Sequence, residues 1–416
     1  MTRGYATYVS LNRGALWKAN RPLPSRFDIE LTERCNLNCI HCYINQPASD
    51  VEIQGREMST DRIKLILKEA AELGALGVRF TGGEPLLRKD FAEVYLFARR
   101  LGLRVLLFTN GTLLTREIAD LLAWVPPLEK IEITVYGMSE ETYHAITGAR
   151  GAFKAVRYGI ELLQERRVPF VVKGAYLRPN QHEMQAFGDW VASLYSSPVR
   201  PSFVTFLTMR GRRDSEVKNK EIQALRIPTG EGLRVLMRDA DRYSKHMEHF
   251  YSKFMGPPGD KLFNCGAGRG FCVDAFGRVQ PCMLMRDPSL VYDLQPQVHP
   301  EATWSEERPS LRDALENFFP QVREMRATRA DYLERCARCF LHGLCEQCPA
   351  KSWMENGTLD TPVEYECEIA HAQARELGLL ARGERAWEVS NWRERLQRKG
   401  APVADPGGTW AEKGVM

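Results

Sequence analysis

The chain has 416 residues, 44% of them apolar and 26% charged, with a formal net charge of +4. That leaves room for two or three domains and a sizeable core, and the charge is too mild to point to nucleic acid as a partner. No apolar run of about 18 residues suggests a membrane span, and Met1 to Ser10 lacks the charged-then-apolar pattern of a signal peptide, so a cytoplasmic location is expected.

Residues 1–25 read as a short extension with room for one strand or hairpin, too short for a domain. From there strands and helices alternate. Strands are expected at 27–31, 78–81, 104–109, 131–136, 170–176 and 203–207, and helices at 63–73, 91–101, 115–124, 153–165 and 183–194. Ser59 and Thr60 are candidate caps for the first helix, and Thr115 for the third. Repeated βα units imply a parallel sheet. Six units fall short of a complete eight-fold barrel, so the expected fold is α/β, a partial (β/α)6 barrel over residues 26–207. Residues 208–259 read as a helical linker, with a helix from Gly230 to about Tyr251 and a turn cluster at Gly256, Pro257, Pro258 and Gly259. A small cysteine-rich domain is expected at 260–372. A C-terminal helix follows, with helical periodicity from Ala370 to Lys399, then a tail.

Cys35, Cys39 and Cys42 stand in a C-x3-C-x2-C spacing just after the first expected strand. Active sites of α/β barrels lie at that end of the strands. Three thiolates so close fit three corners of a cubane iron–sulfur cluster and leave one iron open. Zinc in a structural site takes four protein ligands, and a set of three argues against it. Eleven cysteines without a signal peptide point to metal or redox chemistry rather than a disulfide framework.

This stretch resembles the radical S-adenosylmethionine enzymes, whose motif is C-x3-C-x-φ-C at the end of the first barrel strand. The φ position holds His41, with Tyr43 one residue past the last cysteine. The resemblance implies a 4Fe–4S cluster whose open iron chelates the methionine end of S-adenosylmethionine, and a 5′-deoxyadenosyl radical formed on reduction. Tyr43 is the candidate for the adenine side. Gly82, Gly83 and Glu84, after the second strand, resemble the family segment that holds the methionine amino group. On the residues alone, two glycines permit close backbone approach and the acid suits an ammonium. Asn110, after the third strand, resembles the family's ribose and methionine segment. Thr134 keeps a hydroxyl where relatives carry Ser-x-Asp-Gly, and Tyr136 replaces the acid. Thr147 stands where a carboxylate-binding arginine is frequent. His144 reads as a helix-surface residue. Lys173 and Asn180 are expected to face the cavity, and the basic run Arg210 to Arg213 either to join them there or, as the safer reading, to be solvated.

The remaining cysteines are Cys265, Cys272, Cys282, Cys336, Cys339, Cys345, Cys348 and Cys367. Residues 273–282 read as a hairpin turning at 275–278. The pattern resembles the SPASM domain, which carries two auxiliary iron–sulfur clusters: Gly277-x4-Cys282 fits, as does Cys336-x2-Cys339-x5-Cys345, while Cys345 to Cys348 is one residue short. Carried over in order, Cys265, Cys272, Cys282 and Cys348 would hold the first auxiliary cluster. Cys336, Cys339, Cys345 and Cys367 would hold the second. With the N-terminal one this makes three 4Fe–4S clusters.

The resemblance implies an enzyme that modifies a peptide or protein side chain, as in ribosomal-peptide maturation with thioether or carbon–carbon crosslinks. It also implies an external electron donor such as flavodoxin or ferredoxin. With so few residues before the first strand, recognition of a substrate leader is expected from a separate protein, or the substrate itself docks near the cysteine-rich module. Three rivals stand beside it. A sulfatase-maturing enzyme would carry Asp after the G-x4-C cysteine, where this chain has Met283. Cofactor biosynthesis on a tetrapyrrole or quinone is the second. The third is a zinc protein binding nucleic acid through Cys336, Cys339, Cys345 and Cys348.

Overall fold

The computed structural model describes residues 26–194, 202–237, 243, 247, 255–294, 309–345 and 348–399. The expected extension 1–25, most of the linker helix past residue 237 and the tail from residue 400 lie outside the described residues.

Six parallel strands form the barrel sheet: β1 (Phe27–Thr32), β2 (Gly77–Gly82), β3 (Arg104–Thr109), β4 (Leu128–Thr134), β5 (Phe170–Ala175) and β6 (Ser202–Val204). Each pairs in parallel with the next. The helices between them are α1 (Thr60–Glu72), α2 (Phe91–Arg100), α3 (Arg116–Trp124), α4 (Glu140–Thr147), α5 (Ala152–Glu165) and α6 (Met184–Ser193). The Ser59 hydroxyl caps α1 by accepting from the Arg62 N–H, and Thr115 caps α3 through the Ile118 N–H.

The strands alternate in a way that decides what the barrel holds. Ile29, Val78, Phe80, Val105, Leu107, Ile131 and Ile133 are fully buried and meet Ile63, Leu67, Val94 and Leu122 of the helices. Each such side chain contributes about 1.5–3 kcal/mol. The opposite face carries Asp28, Arg79, Phe108, Glu132, Thr134 and Lys173, which share one side of the sheet by register. A sheet covered on both faces is ordinarily apolar on both. Charge on this inner face marks a lumen built for polar contents.

The cysteine-rich part continues the same sheet. β7 (Cys272–Val273) pairs in parallel with β1, and β8 (Arg278–Gln280) and β9 (Tyr292–Asp293) follow antiparallel. The order is β9-β8-β7-β1-β2-β3-β4-β5-β6. The expected hairpin is therefore present, and it docks on the barrel edge. Between barrel and module lie α7 (Glu216–Leu225) and α8 (Thr229–Leu236). The module contributes α9 (Pro349–Asn356) and α10 (Glu364–Glu376).

The C-terminal periodicity expected from Ala370 to Lys399 is not one helix. It ends in α10, and α11 (Trp392–Arg398) is separate. Gly378 and Gly383 intervene with φ of 68° and 87°, values a helix cannot hold.

Candidate active site

The loop after β1 carries Cys35, Cys39 and Cys42 at the C-terminal end of the barrel strands. The end of α4 pins this loop: the Asn38 N–H donates to the Thr147 carbonyl at 2.8 Å and the Ile40 N–H to the Ile146 carbonyl at 3.0 Å. Helix-terminal carbonyls have no partner within the helix, so the loop supplies the donors they lack. Thr147 thus holds the cysteine loop through its backbone, and its hydroxyl turns inward to the Tyr143 carbonyl at 2.7 Å. The Cys35 thiol is pushed up to about 12, chiefly by burial and then by Glu84, while the Leu37 N–H and Asn110 pull the other way. Burial likewise pushes Cys39 up, with the Tyr136 hydroxyl as a hydrogen-bond partner opposing it. A thiol so placed ionises readily only with a cation as partner. All eleven cysteines are free thiols. Among the described residues no three His, Cys, Asp or Glu side chains converge on a single-ion position.

Glu84 has no exposure. Its carboxylate accepts from the Leu86 N–H at 3.0 Å, the Thr109 hydroxyl at 2.8 Å and the Asn110 N–H at 2.7 Å. Burial raises its pKa to about 7 against those bonds. The carboxylate therefore ties the β2 and β3 loops together rather than standing free for an ammonium. Asn110 completes the link, since its Nδ2 lies 3.7 Å from the Cys35 sulfur and 2.9 Å from Asn36 Oδ1.

The glycines before Glu84 serve the same packing. Gly82 has φ of 126°, and a Cβ there would lie 2.1 Å from the Thr32 carbonyl oxygen; at Gly83 it would lie 2.2 Å from that of Arg34. Backbone meets backbone at this point, which brings the Glu84 turn under the cysteine loop.

Tyr43 does not share the surroundings of His41. Burial and then the Glu30 carboxylate raise the Tyr43 pKa, with Cys42 and Cys272 adding and Arg286 opposing. His41 instead meets the Tyr136 ring edge-on, centroids 5.0 Å apart, and burial lowers its pKa to about 4. So the aromatic group facing the triad includes Tyr136, which the sequence reading noted only as a missing acid. Thr134 lies on the inner face at the end of β4, and its carbonyl accepts from the Tyr143 hydroxyl at 3.5 Å. Asn180, expected in the cavity, is buried instead and donates to the Tyr136 and Ala175 carbonyls at 2.8 Å each. Lys173 does stand on the inner face, bonded to Glu132 and 5.5 Å from the Phe108 ring centre.

The run Arg210 to Arg213 is not solvated. Arg210 is 3% exposed and donates to the Cys42 carbonyl at 3.1 Å and to Asp214. Arg212 bridges Glu33 and Asp274, and Arg213 donates to the Trp353 and Met354 carbonyls. These guanidiniums join the cysteine loop, the barrel and the module. A charge run ordinarily meets solvent, and here buried carboxylates distant in sequence reverse that.

At the other end of the barrel lies a cavity of about 470 Å3. It is lined by residues at the strand starts, Arg26, Asp28, Arg79, Arg104 and Glu129, and by Cys282 of the module. Asp28 pairs with Arg79 at 3.3 Å, and burial raises its pKa. A second cavity in the module is lined by Cys336, Cys339, Cys345, Cys348 and Cys367, with His342, His371 and Trp387.

With this geometry in hand, residues 29–190 match the model of the radical SAM superfamily. The chain is 27% identical over 350 residues to the AdoMet-dependent heme synthase of Methanosarcina barkeri, covering 79% of this chain and 92% of that one. It is 24% identical over 371 residues to the antilisterial bacteriocin subtilosin biosynthesis protein AlbA of Bacillus subtilis, covering 82% and 74%. The structure of native anSMEcpe with bound AdoMet and Cp18Cys peptide shares the fold, with a TM-score of 0.53, 16% identity and coverage of 85% and 98%. Residues 29–190, the partial barrel with the cysteine loop on it, thus form a radical SAM domain.

Proposed function

We propose that this enzyme modifies a side chain of a peptide or protein, joining it through a thioether or carbon–carbon bond. The observation that carries the reading is the two-ended barrel. The cysteine triad sits at the C-terminal ends of the strands, the inner face of the sheet carries Arg79, Glu132 and Lys173, and a cavity lined by Asp28, Arg79 and Cys282 lies at the strand starts. A long, flexible substrate enters at the second end and reaches the first. The similarity to AlbA over most of the chain supports a peptide.

A 4Fe–4S cluster on Cys35, Cys39 and Cys42 with S-adenosylmethionine on its open iron supplies the carbon radical that takes a hydrogen atom. The chain's own residues do the rest. Asn110, Tyr136 and the α4 carbonyls hold the cysteine loop. Arg79, Phe108, Glu132 and Lys173 line the path. Cys336, Cys339, Cys345 and Cys367, which line one cavity together with Cys348, would hold one auxiliary cluster, and Cys265, Cys272, Cys282 and Cys348 would hold the other. Forming the crosslink would remove two hydrogens from the peptide, one as a hydrogen atom and one as a proton, and clusters held by the module cysteines would supply a place for the remaining electron. Flavodoxin or ferredoxin would supply the starting electron, and a separate protein would present a leader segment.

A second reading is tetrapyrrole chemistry, favoured by the heme synthase that this chain covers almost end to end. The test is anaerobic incubation with S-adenosylmethionine and reductant, using either co-encoded precursor peptides or an iron porphyrin bearing carboxylate arms. A peptide product lighter by two hydrogens supports the proposal. Deoxyadenosine formed only with the porphyrin, with loss of carbon dioxide, overturns it.

A further inference from the structure

The inner face of the barrel sheet carries more cations than carboxylates to match them. Glu132 on β4 is bonded by two lysines at once, Lys130 at 3.2 Å and Lys173. In the cavity at the strand starts Glu129 likewise holds both Arg26, at 3.4 Å, and Arg104, at 3.6 Å. Arg79 has Asp28 at 3.3 Å, and Glu30 is committed to Arg286 with both side chains fully buried. Leaving that last pair aside, five cations share three carboxylates among the described residues. An excess of one sign between low-dielectric walls draws the opposite charge inward.

Two of the five act on one point. Arg79 of β2 and Lys173 of β5 approach the Phe108 ring from strands on either side of β3, the guanidinium carbon 4.8 Å and the ammonium 5.5 Å from its centre. An aromatic face holds a cation in place without neutralising it. The Lys173 side chain is 41% exposed while that of Glu132 is 7% exposed, so the lumen meets the ammonium rather than the carboxylate. An ammonium has three donors, and Glu132 takes one direction of them. Arg79 Nη1 donates to Asp28 and to the Met283 sulfur at 3.8 Å. A thioether is a weak acceptor, and Arg79 Nε is buried with no acceptor among the described residues.

Resting on the peptide reading above, we infer that Lys173 and Arg79 form a carboxylate site in the lumen, filled by an Asp or Glu side chain of the substrate. That carboxylate takes the donors that Glu132, Asp28 and Met283 leave over. Arg26 and Arg104 at the strand starts draw the same anion in. The acid then sets which residue of the peptide reaches the cysteine triad, by its spacing from it.

The test measures binding, anaerobically, to the full chain at matched iron content. The probes are a co-encoded precursor peptide, that peptide with each Asp and Glu changed in turn to Asn or Gln, an iron porphyrin bearing carboxylate arms, and S-adenosylmethionine. Lys173→Met should weaken the precursor about tenfold to a hundredfold, the worth of one hydrogen bond to a charged group, and Lys173→Arg should restore it. One amide substitution in the peptide should weaken binding to the parent as much, and weaken binding to Lys173→Met no further. Met283→Glu, which puts the chain's own carboxylate beside Arg79, should weaken the precursor too. Affinity for S-adenosylmethionine should not move. A precursor that binds the parent, Lys173→Met and Met283→Glu alike overturns this inference alone. So does a loss on Lys173→Met that S-adenosylmethionine shares, since the ammonium would then serve the cofactor's own carboxylate. A parent that binds the porphyrin and not the precursor overturns the peptide reading; the carboxylate site then stands if Lys173→Met weakens the porphyrin by the same factor, and falls if it does not. A parent that binds neither overturns both.

Discussion

Arg286 and Glu30 tie module to barrel through an ion pair with both side chains fully buried, and Arg286→Met tests it. Glu30 stands on β1 and Arg286 follows β8. Both side chains have no exposure, with Arg286 Nη1 3.2 Å from one Glu30 oxygen and Nη2 bonded to the other. Burial opposes the Arg286 charge, yet the Glu30 carboxylate, with Cys272 and Tyr43 adding, raises the guanidinium pKa. Losing the arginine leaves a buried carboxylate facing the Tyr43 hydroxyl and the Cys272 thiol. Breaking one side of such a pair costs about 3–5 kcal/mol. Total stabilities run to about 5–15 kcal/mol, so the loss is a large share. Replacing both residues with methionine removes both charges and keeps apolar bulk, so Glu30→Met with Arg286→Met should lie within about 1 kcal/mol of the parent. The assay is anaerobic urea unfolding of parent, both single variants and the double variant at matched cluster content. A single-variant loss below about 1 kcal/mol, or a double-variant loss equal to the sum of the two, refutes the reasoning.

Alanine at Cys35, Cys39 and Cys42 together should abolish reductive cleavage of S-adenosylmethionine while the other iron stays; surviving cleavage, followed by chromatography of deoxyadenosine, sinks the assignment. Gly82→Ala should leave little soluble protein, because its Cβ would overlap the Thr32 carbonyl at 2.1 Å. Gly102→Ala, also at positive φ but with nothing within 4 Å, should cost only about 1 kcal/mol; equal losses by thermal melting would discount the close approach. Glu84→Gln should cost about 1–3 kcal/mol, because whichever way the amide turns, its NH2 faces a backbone N–H of Leu86 or Asn110. A melting temperature equal to the parent's would show that these bonds do not brace the loop.

The barrel was legible because its signals are local. Period-2 runs ending in turn residues placed β1 to β5 within a few residues, and the cysteine spacing after β1 located the triad. What stayed hidden depended on partners far along the chain. Arg210 and Arg212 read as a solvated run, since nothing in 210–213 announces that Cys42, Glu33 and Asp274 will surround them. The hairpin at 273–282 was visible, but its docking on β1 was not, because a two-residue strand carries no mark of its neighbour. The register was equally hidden: in β7 Cys272 stands opposite Asp28 of β1, so its side chain takes the face of the sheet that Asp28 takes, and only the pairing of two strands about 240 residues apart decides that.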